Sequence, residues 1–167
     1  MKKIISLVLC LLLVFCFAGC GGNETAKTDN GGKTEAVHSF TYNGVKVEMG
    51  VDATDILAKL GEPKSVTEEA SCAFEGMDRT YFYGSLYVTT YPNGEKENIY
   101  GAWFVDDSVT TDENIYIGAT KAEVETAYGS DTFDGTSSYV ITKGKSKLTI
   151  IVEDDAVTGI TYDAIVE

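Results

Sequence analysis

Histidine and arginine are almost absent from this sequence, and their scarcity excludes several kinds of chemistry. His38 is the single histidine among 167 residues, and Arg79 is the single arginine. The sequence has no HExxH motif, no histidine or cysteine cluster at metal-ligand spacing and no glycine-rich nucleotide fingerprint. Because His38 lies at the end of a predicted tether, no serine or cysteine nucleophile has a histidine in view as its base. We therefore predict a protein that is not an enzyme and that holds no cofactor and no metal.

Positive charge is scarce too. The chain has 13 lysines and arginines against 26 acidic residues, which gives a formal net charge of −13. A surface this acidic repels nucleic acid, anionic lipid and anionic wall polymers, so nucleic acid is excluded as a partner. An enzyme of this composition would depend on carboxylates, but the acidic runs lie near predicted turns, where such charges are usually solvated. The segment DTFDGTSS lacks the alternating acidic positions and the closing glutamate of a calcium-binding EF-hand.

Only one apolar run is long, and it stands at the start of the chain. Lys2 and Lys3 precede this run, which covers residues 4–18 and is short for a membrane span. It ends in FAGC, which resembles the lipobox of bacterial lipoprotein signal peptides. We therefore predict a signal peptide over residues 1–19 and lipidation of Cys20. An ordinary secretory signal cut nearby and an uncleaved anchor are the alternatives, and each also predicts an exported chain.

Residues 20–38 are polar, contain glycine and lack periodicity, which is typical of a flexible tether. With two acyl chains on Cys20, such a tether would hold a folded domain close to a membrane. We therefore predict an extracytoplasmic protein that is anchored by lipid to the outer face of the cell membrane. No later apolar run approaches the length of a membrane span, so we expect no further membrane segment.

Free cysteine is scarce as well. Cys10 and Cys16 fall in the predicted signal peptide and Cys20 carries the predicted lipid, which leaves Cys72 alone. No disulfide can then form within the chain. The segment SCAF precedes a strand-like run, and this setting predicts that Cys72 is buried as a small hydrophobic side chain.

Two segments of twelve residues share one physical pattern. They are GVDATDILAKLG at residues 50–61 and GATKAEVETAYG at residues 118–129. Thr120 and Glu123 can form a capping box at the start of a helix, and Asp52 with Asp55 can form a weaker version. Apolar residues follow on one side of each segment, and a glycine ends it. The pattern predicts two short helices that each bury a single face.

Each helical segment is followed by three predicted strands. The first set is TYFYGSLYVTTYPNGEKENIYGAWF and the second is SYVITKGKSKLTIIVEDDAVTGITYDAI, each interrupted by two turn sequences. A hairpin with an Asn43-Gly44 turn precedes the first helix. We predict an α+β fold of two tandem helix-plus-antiparallel-hairpin units, residues 39–110 and 111–167. The units would share one antiparallel sheet of roughly six to eight strands with the helices packed on one face.

Tandem units of this kind behind a lipobox resemble the fold family of the beta-lactamase inhibitor protein (BLIP-like) and the small outer-membrane-assembly lipoproteins of the SmpA/OmlA type. The pieces GVDATDILAKLGEP, FEGMDRTYFYGSLYVTTYPNGEK and VDDSVTTDENIYIGATKAEVETAYG are also similar to uncharacterised lipoproteins of gut Firmicutes. The resemblance covers about residues 40–167 and lies in pattern rather than in a motif. It implies protein binding or inhibition without catalysis, and it assigns no contact residues.

Aromatic side chains are abundant. The chain has 10 tyrosines, and its single tryptophan lies in the first unit. Because strand side chains alternate, Leu86 and Val88 should face the helix while Tyr87 and Tyr91 face away. We therefore predict an exposed binding face on the first unit. Its candidate residues are Tyr81, Tyr83, Tyr87, Tyr91 and Trp103.

Tyrosine and tryptophan supply a large contact area at a small entropic cost, which is why protein interfaces favour them. We therefore predict a binding protein whose partner is another envelope or extracellular protein. A carbohydrate or cell-wall glycan that stacks on the same rings is the alternative, and inhibition of an exported hydrolase is a further one. A structural or assembly role also fits the resemblance, since tyrosine suits half-buried strands without any ligand.

Overall fold

A computed structural model describes residues 36–166 of the chain. The predicted signal peptide, Cys20 and the predicted tether up to residue 35 lie outside the described residues. The elements in chain order are β1 (Ser39–Tyr42), β2 (Val45–Glu48), α1 (Thr54–Leu60), β3 (Ser65–Ala70), β4 (Met77–Phe82), β5 (Leu86–Asn93), β6 (Lys96–Phe104), α2 (Lys121–Tyr128), a 3-10 turn (Ser130–Thr132), β7 (Ser138–Lys143), β8 (Ser146–Glu153) and β9 (Ala156–Ala164).

Seven strands form one antiparallel sheet in the order β3-β4-β5-β6-β9-β8-β7, while β1 and β2 pair in a separate hairpin. The meanders β4-β5-β6 and β7-β8-β9 meet near the centre of this sheet, where Trp103 of β6 lies opposite Thr161 of β9. The predicted α+β class with a large antiparallel sheet is confirmed. The predicted Asn43-Gly44 turn joins β1 to β2, with both residues at positive φ.

The second helix, α2, begins as the sequence predicts. The Thr120 Oγ1 accepts a hydrogen bond from the Glu123 N–H at 3.3 Å, and the Glu123 carboxylate accepts one from the Thr120 N–H at 2.7 Å. This reciprocal pair is the predicted capping box. Gly129 follows the helix with a φ of 84°, a conformation that favours glycine.

The first helix, α1, begins differently. Its N-cap residue is Ala53, and no side chain caps it. The Asp52 Oδ1 accepts a hydrogen bond from the Thr54 N–H at 2.9 Å, which replaces the predicted cap. No helix within residues 36–166 combines the length and apolar character needed to cross a membrane.

The core lies on one face of the seven-stranded sheet. Alternate residues are buried there, Leu86 and Val88 in β5 and Leu148 and Ile150 in β8. Against these strands pack Phe40 and Val47 of the β1–β2 hairpin, Ile56 of α1 and Val124 of α2. The hairpin and both helices therefore cover one face of the sheet, while no helix or strand within residues 36–166 covers the opposite face, which we call the open face.

The β3–β4 hairpin departs from the sequence prediction in two ways. The pattern does not predict β3, whose six residues are all exposed, because an edge strand beyond the core needs no apolar alternation. Cys72 lies in the loop between β3 and β4, and its side chain is exposed. The prediction that Cys72 is buried is therefore wrong, since the hairpin carries this residue away from the core.

His38, the last residue of the predicted tether, is packed within the fold. Only 8 % of this residue is exposed. Its N–H donates to the Ser146 Oγ at 2.6 Å, and its Nε2 lies 2.9 Å from the Ile141 carbonyl oxygen. Burial lowers the pKa of the imidazole below its usual value. The segment before β1 is therefore held against the β7–β8 hairpin.

Candidate functional site

The fifth strand sets the geometry of the open face. Leu86, Val88 and Thr90 are buried on the covered side of β5, while Tyr87 and Tyr91 alternate with them and are half-buried. This alternation agrees with the predicted directions of Tyr87 and Tyr91. Both tyrosines therefore project from the open face of the sheet.

Three aromatic rings stack across neighbouring strands on this face. Phe82 of β4 lies opposite Tyr87 of β5, and Tyr87 lies opposite Trp103 of β6. The ring centroids of Phe82 and Tyr87 are 4.5 Å apart, and those of Tyr87 and Trp103 are 4.6 Å apart, both stacked. Trp103 is 36 % exposed. We call Phe82, Tyr87 and Trp103 the aromatic row.

Phe82, Tyr87 and Trp103 are successive cross-strand partners, and we call this line of partners the central register line. It continues into the other half of the sheet, where its residues carry no rings. Trp103 lies opposite Thr161 of β9, Thr161 lies opposite Thr149 of β8, and Thr149 lies opposite Val140 of β7. The aromatic row therefore occupies one half of the open face. Threonine and valine occupy this line in the other half, where Lys147 and Asp163 form an ion pair on the same face.

A groove adjoins the aromatic row on the same face. Its volume is about 380 Å³, and its aromatic lining consists of Phe74, Tyr91, Tyr100 and Trp103. The ring centroids of Phe74 and Tyr91 are 4.9 Å apart, and Tyr91 meets Tyr100 edge-on at 6.3 Å. Because Trp103 belongs to both the row and the groove, the two form a continuous surface.

A β-bulge exposes one of these groove residues. Thr89 and Thr90 of β5 lie opposite Gly101 and Ile99 of β6, so Tyr100 is the extra residue between them. A bulge of this kind re-aims the side chain that it leaves unpaired. Tyr100 is 41 % exposed as a result.

Two carboxylates also line the groove. Glu69 of β3 and Asp78 of β4 lie directly opposite each other and therefore project from the same face. The Asp78 Oδ1 is buried and has no hydrogen-bond partner within residues 36–166. The groove thus combines aromatic rings with acidic side chains.

Tyr81 and Tyr83, the other two predicted binding residues, do not join this face. Tyr81 lies opposite the buried Val88 and therefore points to the covered side. Its hydroxyl donates to the Glu97 Oε2 at 3.0 Å, and burial together with this carboxylate raises its pKa to about 12. Tyr83 packs against the core, and burial raises its pKa too. The structure therefore unites Tyr87, Tyr91 and Trp103 but not Tyr81 and Tyr83.

Glu97 is the centre of a polar network on that covered side. It accepts hydrogen bonds from Tyr81, from Thr90 at 2.6 Å and from Arg79. Arg79 also donates to the Glu68 Oε1 at 2.6 Å, and this bond raises the pKa of the guanidinium above its usual value. Arg79 is one of the residues that line the groove, but its charge is balanced by Glu68 and Glu97 on the covered side.

The sequence prediction missed Phe74, Phe82 and Asp78. Phe82 could have been found by counting register across the Gly84-Ser85 turn, because that count places it opposite Tyr87. Phe74 and Asp78 depend on the β3–β4 hairpin, which the sequence pattern did not predict. Among residues 36–166, no three His, Cys, Asp or Glu side chains converge as a metal site. The described face can bind a partner through apolar ring contacts and negative charge.

No protein-family model matches the chain, and no curated protein sequence matches it. One solved structure is similar, the 1.5 Å crystal structure of an extracellular protein containing a SCP domain from Bacillus anthracis str. Ames. The alignment covers 84 % of this chain and 49 % of that chain, with 15 % sequence identity and a TM-score of 0.44. The chain spans about half the length of that protein. A likeness at this level assigns neither a family nor a function.

Proposed function

We propose that this chain is an exported, non-enzymatic binding protein of the cell envelope, anchored by lipid on Cys20, that contacts another protein through the open sheet face. The observation that carries this proposal is the aromatic row on a face that no described element covers. Stacked rings with an exposed tryptophan at one end resemble the anchors that dominate protein interfaces. The acidic chain, with a net charge of −13, favours a partner that is neutral or basic.

Glycan binding is the second candidate, and the ring geometry ranks it lower. A sugar ring stacks on a free aromatic face. Both faces of the Tyr87 ring are occupied, by Phe82 on one side and Trp103 on the other. The Lys64 Nζ lies 5.9 Å from the centre of the Phe82 ring, so this ring also has a neighbour beyond Tyr87. The Tyr87 ring therefore offers only its edge to a ligand, which suits a protein surface better than a sugar.

The finer part of the fold prediction, two tandem BLIP-like units, is part of the same proposal. Matched hydrogen bonds on the approach to each helix support it. The Gly50 N–H donates to the Ile99 carbonyl at 2.8 Å, and the Gly118 N–H donates to the Val157 carbonyl at 2.8 Å. Ile99 and Val157 each donate back, to the residue after the respective glycine, at 2.9 and 2.8 Å.

The bulges support the tandem arrangement too. The β5–β6 register shifts between Thr89 and Thr90, and the β8–β9 register shifts between Ile151 and Val152. Each shift lies in the last pair of strands of its meander. A duplicated unit would carry its bulge to the same place in both copies, since bulges are retained features of a fold. The BLIP-like resemblance agrees with a protein-binding role.

A capture experiment tests the binding role. The full chain, purified in nonionic detergent, serves as bait for solubilised envelope proteins beside a Tyr87→Thr, Trp103→Thr variant. Threonine is the residue that Thr149 and Thr161 already place at the matching positions of the other half. We expect a specific partner on the native chain and its loss on the variant, because the variant removes the ring contacts.

The matched control is a Thr149→Ala, Thr161→Ala variant, which alters the same number of open-face positions in the half without rings. It should capture the partner as the native chain does. Circular dichroism of all three proteins establishes that they are folded. Equal capture by the native chain and by the Tyr87→Thr, Trp103→Thr variant would contradict the proposal.

A further inference from the structure

The groove beside the aromatic row holds negative charge that the protein does not balance. Glu69 and Asp78 are direct cross-strand partners on the open face. Within residues 36–166, neither carboxylate hydrogen-bonds or forms an ion pair, and the Asp78 Oδ1 is buried. Like charges placed directly opposite each other destabilise a sheet, and a buried acceptor without a donor adds to this cost.

The nearest cation in the sequence does not relieve this charge. Arg79 follows Asp78 on β4, so its side chain projects from the covered face. Arg79 is among the residues that line the groove, but its guanidinium is bound by Glu68 and Glu97. The two groove carboxylates therefore remain available for a positive group from outside the protein.

The rings of the groove suit a positive group as well. Tyr91, Tyr100, Phe74 and Trp103 line it together with the two carboxylates. Aromatic faces attract ammonium and guanidinium groups through the ring quadrupole, and carboxylates bind the same groups by charge-assisted hydrogen bonds. A volume of about 380 Å³ accommodates a long amino-acid side chain.

We propose that this groove binds a lysine or arginine side chain of the protein that docks on the aromatic row. The inference rests on the proposed function and specifies the chemistry of the partner. Trp103 lines the groove and ends the row, so one macromolecule can contact both. The net charge of −13 attracts a basic surface over a longer range.

The single tryptophan of the chain provides a direct readout, because Trp103 lies in the groove. The full chain in nonionic detergent is titrated with a peptide of alternating lysine and alanine while tryptophan fluorescence is recorded. We expect a saturable change. The same peptide with every lysine acetylated should give none, because acetylation removes the charge and keeps the length. A Glu69→Gln, Asp78→Asn variant should bind the lysine peptide about tenfold more weakly, which corresponds to about 1.4 kcal/mol.

A Glu62→Gln, Glu153→Gln variant is the matched control. It removes two charges from exposed positions outside the groove lining, so its affinity for the lysine peptide should stay close to that of the native chain. Equal weakening of both double variants would mean that only net charge attracts the peptide, and it would overturn the inference. Equal binding of the acetylated peptide would overturn it too.

The captured envelope protein separates this inference from the proposed function. If that protein binds the Glu69→Gln, Asp78→Asn variant as tightly as the native chain but fails to bind the Tyr87→Thr, Trp103→Thr variant, the groove inference is wrong and the binding role of the row stands. If both variants lose it, while the Glu62→Gln, Glu153→Gln control retains it, both proposals are supported.

Discussion

On the covered side of the sheet, β5 and β8 bury closely similar residues, Leu86 and Val88 in one half and Leu148 and Ile150 in the other. On the open side the two halves differ at every position of the central register line. In strand order, that line reads Phe82, Tyr87, Trp103, Thr161, Thr149 and Val140. The halves therefore agree where they form the core and diverge where they meet solvent.

The divergence separates what the fold requires from what it does not. Thr149 and Thr161 occupy central strands of the same sheet as Tyr87 and Trp103. An antiparallel sheet of this kind therefore forms without rings on its open face. Cross-strand aromatic pairs add only about 0.2–1 kcal/mol each to a sheet, which is small beside the contribution of the core. The fold therefore does not require these rings, which agrees with the partner contact proposed above.

The largest effects should come from the shared core, and they should be similar in the two halves. Leu86→Ala and Leu148→Ala each remove a fully buried side chain, so each should lower the free energy of unfolding by about 2–5 kcal/mol. Urea denaturation of each variant measures the loss. If one substitution lowered the free energy of unfolding several-fold less than the other, the two halves would contribute unequally to the stability of the core.

The β6–β9 strand pair is the seam that joins the two halves of the sheet, and its stability should be the next most sensitive to substitution. A Cβ on Gly101 would lie 2.6 Å from the Tyr162 carbonyl oxygen, which belongs to the backbone of β9. A Cβ on Gly159 would meet the Ile151 Cδ1 at 3.2 Å, and that side chain can move. We expect Gly101→Ala to cost about 1–3 kcal/mol, as overpacking typically does, and Gly159→Ala to cost less.

Thermal denaturation of the two glycine variants checks the order. The native chain and the two variants should unfold at three distinct temperatures, with Gly101→Ala lowest. Gly159 lies opposite Ile151 of β8, within the second half, so a Gly159→Ala variant that unfolds at or below the temperature of Gly101→Ala would show that the β6–β9 pair is packed no more tightly than the β8–β9 pair.

Local signals in the sequence predict the turns, helix caps and strand alternation of the two halves well. The Asn43-Gly44 turn and the Thr120–Glu123 capping box each have a strong local cause, and both form as expected. The alternation of β5 likewise gives the directions of Tyr87 and Tyr91. Each of these features depends on residues that are close in the chain.

The features that the sequence does not predict depend on long-range placement. β3 has no apolar alternation because it lies at an edge, so the hairpin that carries Cys72, Phe74 and Asp78 leaves no periodic signal. Tyr81 and Tyr83 were grouped with the open face by composition, although the β4–β5 register places them on the covered side. The burial of His38 depends on Ser146 and Ile141, more than a hundred residues away.

The caps of the two helices should give a smaller difference between the halves. Thr120→Ala removes the capping box of α2 and should cost about 1 kcal/mol. Asp52→Ala removes one hydrogen bond to the Thr54 N–H and an exposed ion pair with Lys96, and it should cost less than Thr120→Ala because exposed ion pairs contribute little to stability. Urea denaturation compares the two losses. A larger loss for Asp52→Ala would mean that α1, which has no side-chain cap, is nevertheless the better anchored helix.

The smallest effect should be the pH dependence of the contact that joins the segment before β1 to the β7–β8 hairpin. Burial lowers the pKa of His38 in the folded chain, with a smaller contribution from Lys143, while the hydrogen bond to the Ile141 carbonyl oxygen and the carboxylates of Glu113 and Asp112 act in the opposite direction. The unfolded chain then binds more protons than the folded chain as the pH falls through the ordinary histidine pKa of about 6.5. The stability that neutral His38 supports is complete above that value and is lost as the pH falls.

The measurement is the free energy of unfolding between about pH 8 and pH 5.5, a window above most carboxylate titration. A His38→Gln variant is the control, because glutamine can still donate to the Ile141 carbonyl oxygen but does not titrate in this window. We expect the native chain to lose stability toward the acidic end and the variant to show a flatter profile. Parallel profiles would place the titrating group elsewhere. In that case the contact between His38 and the β7–β8 hairpin would tolerate the imidazolium, and the chain before β1 would be held to that half of the sheet independently of pH.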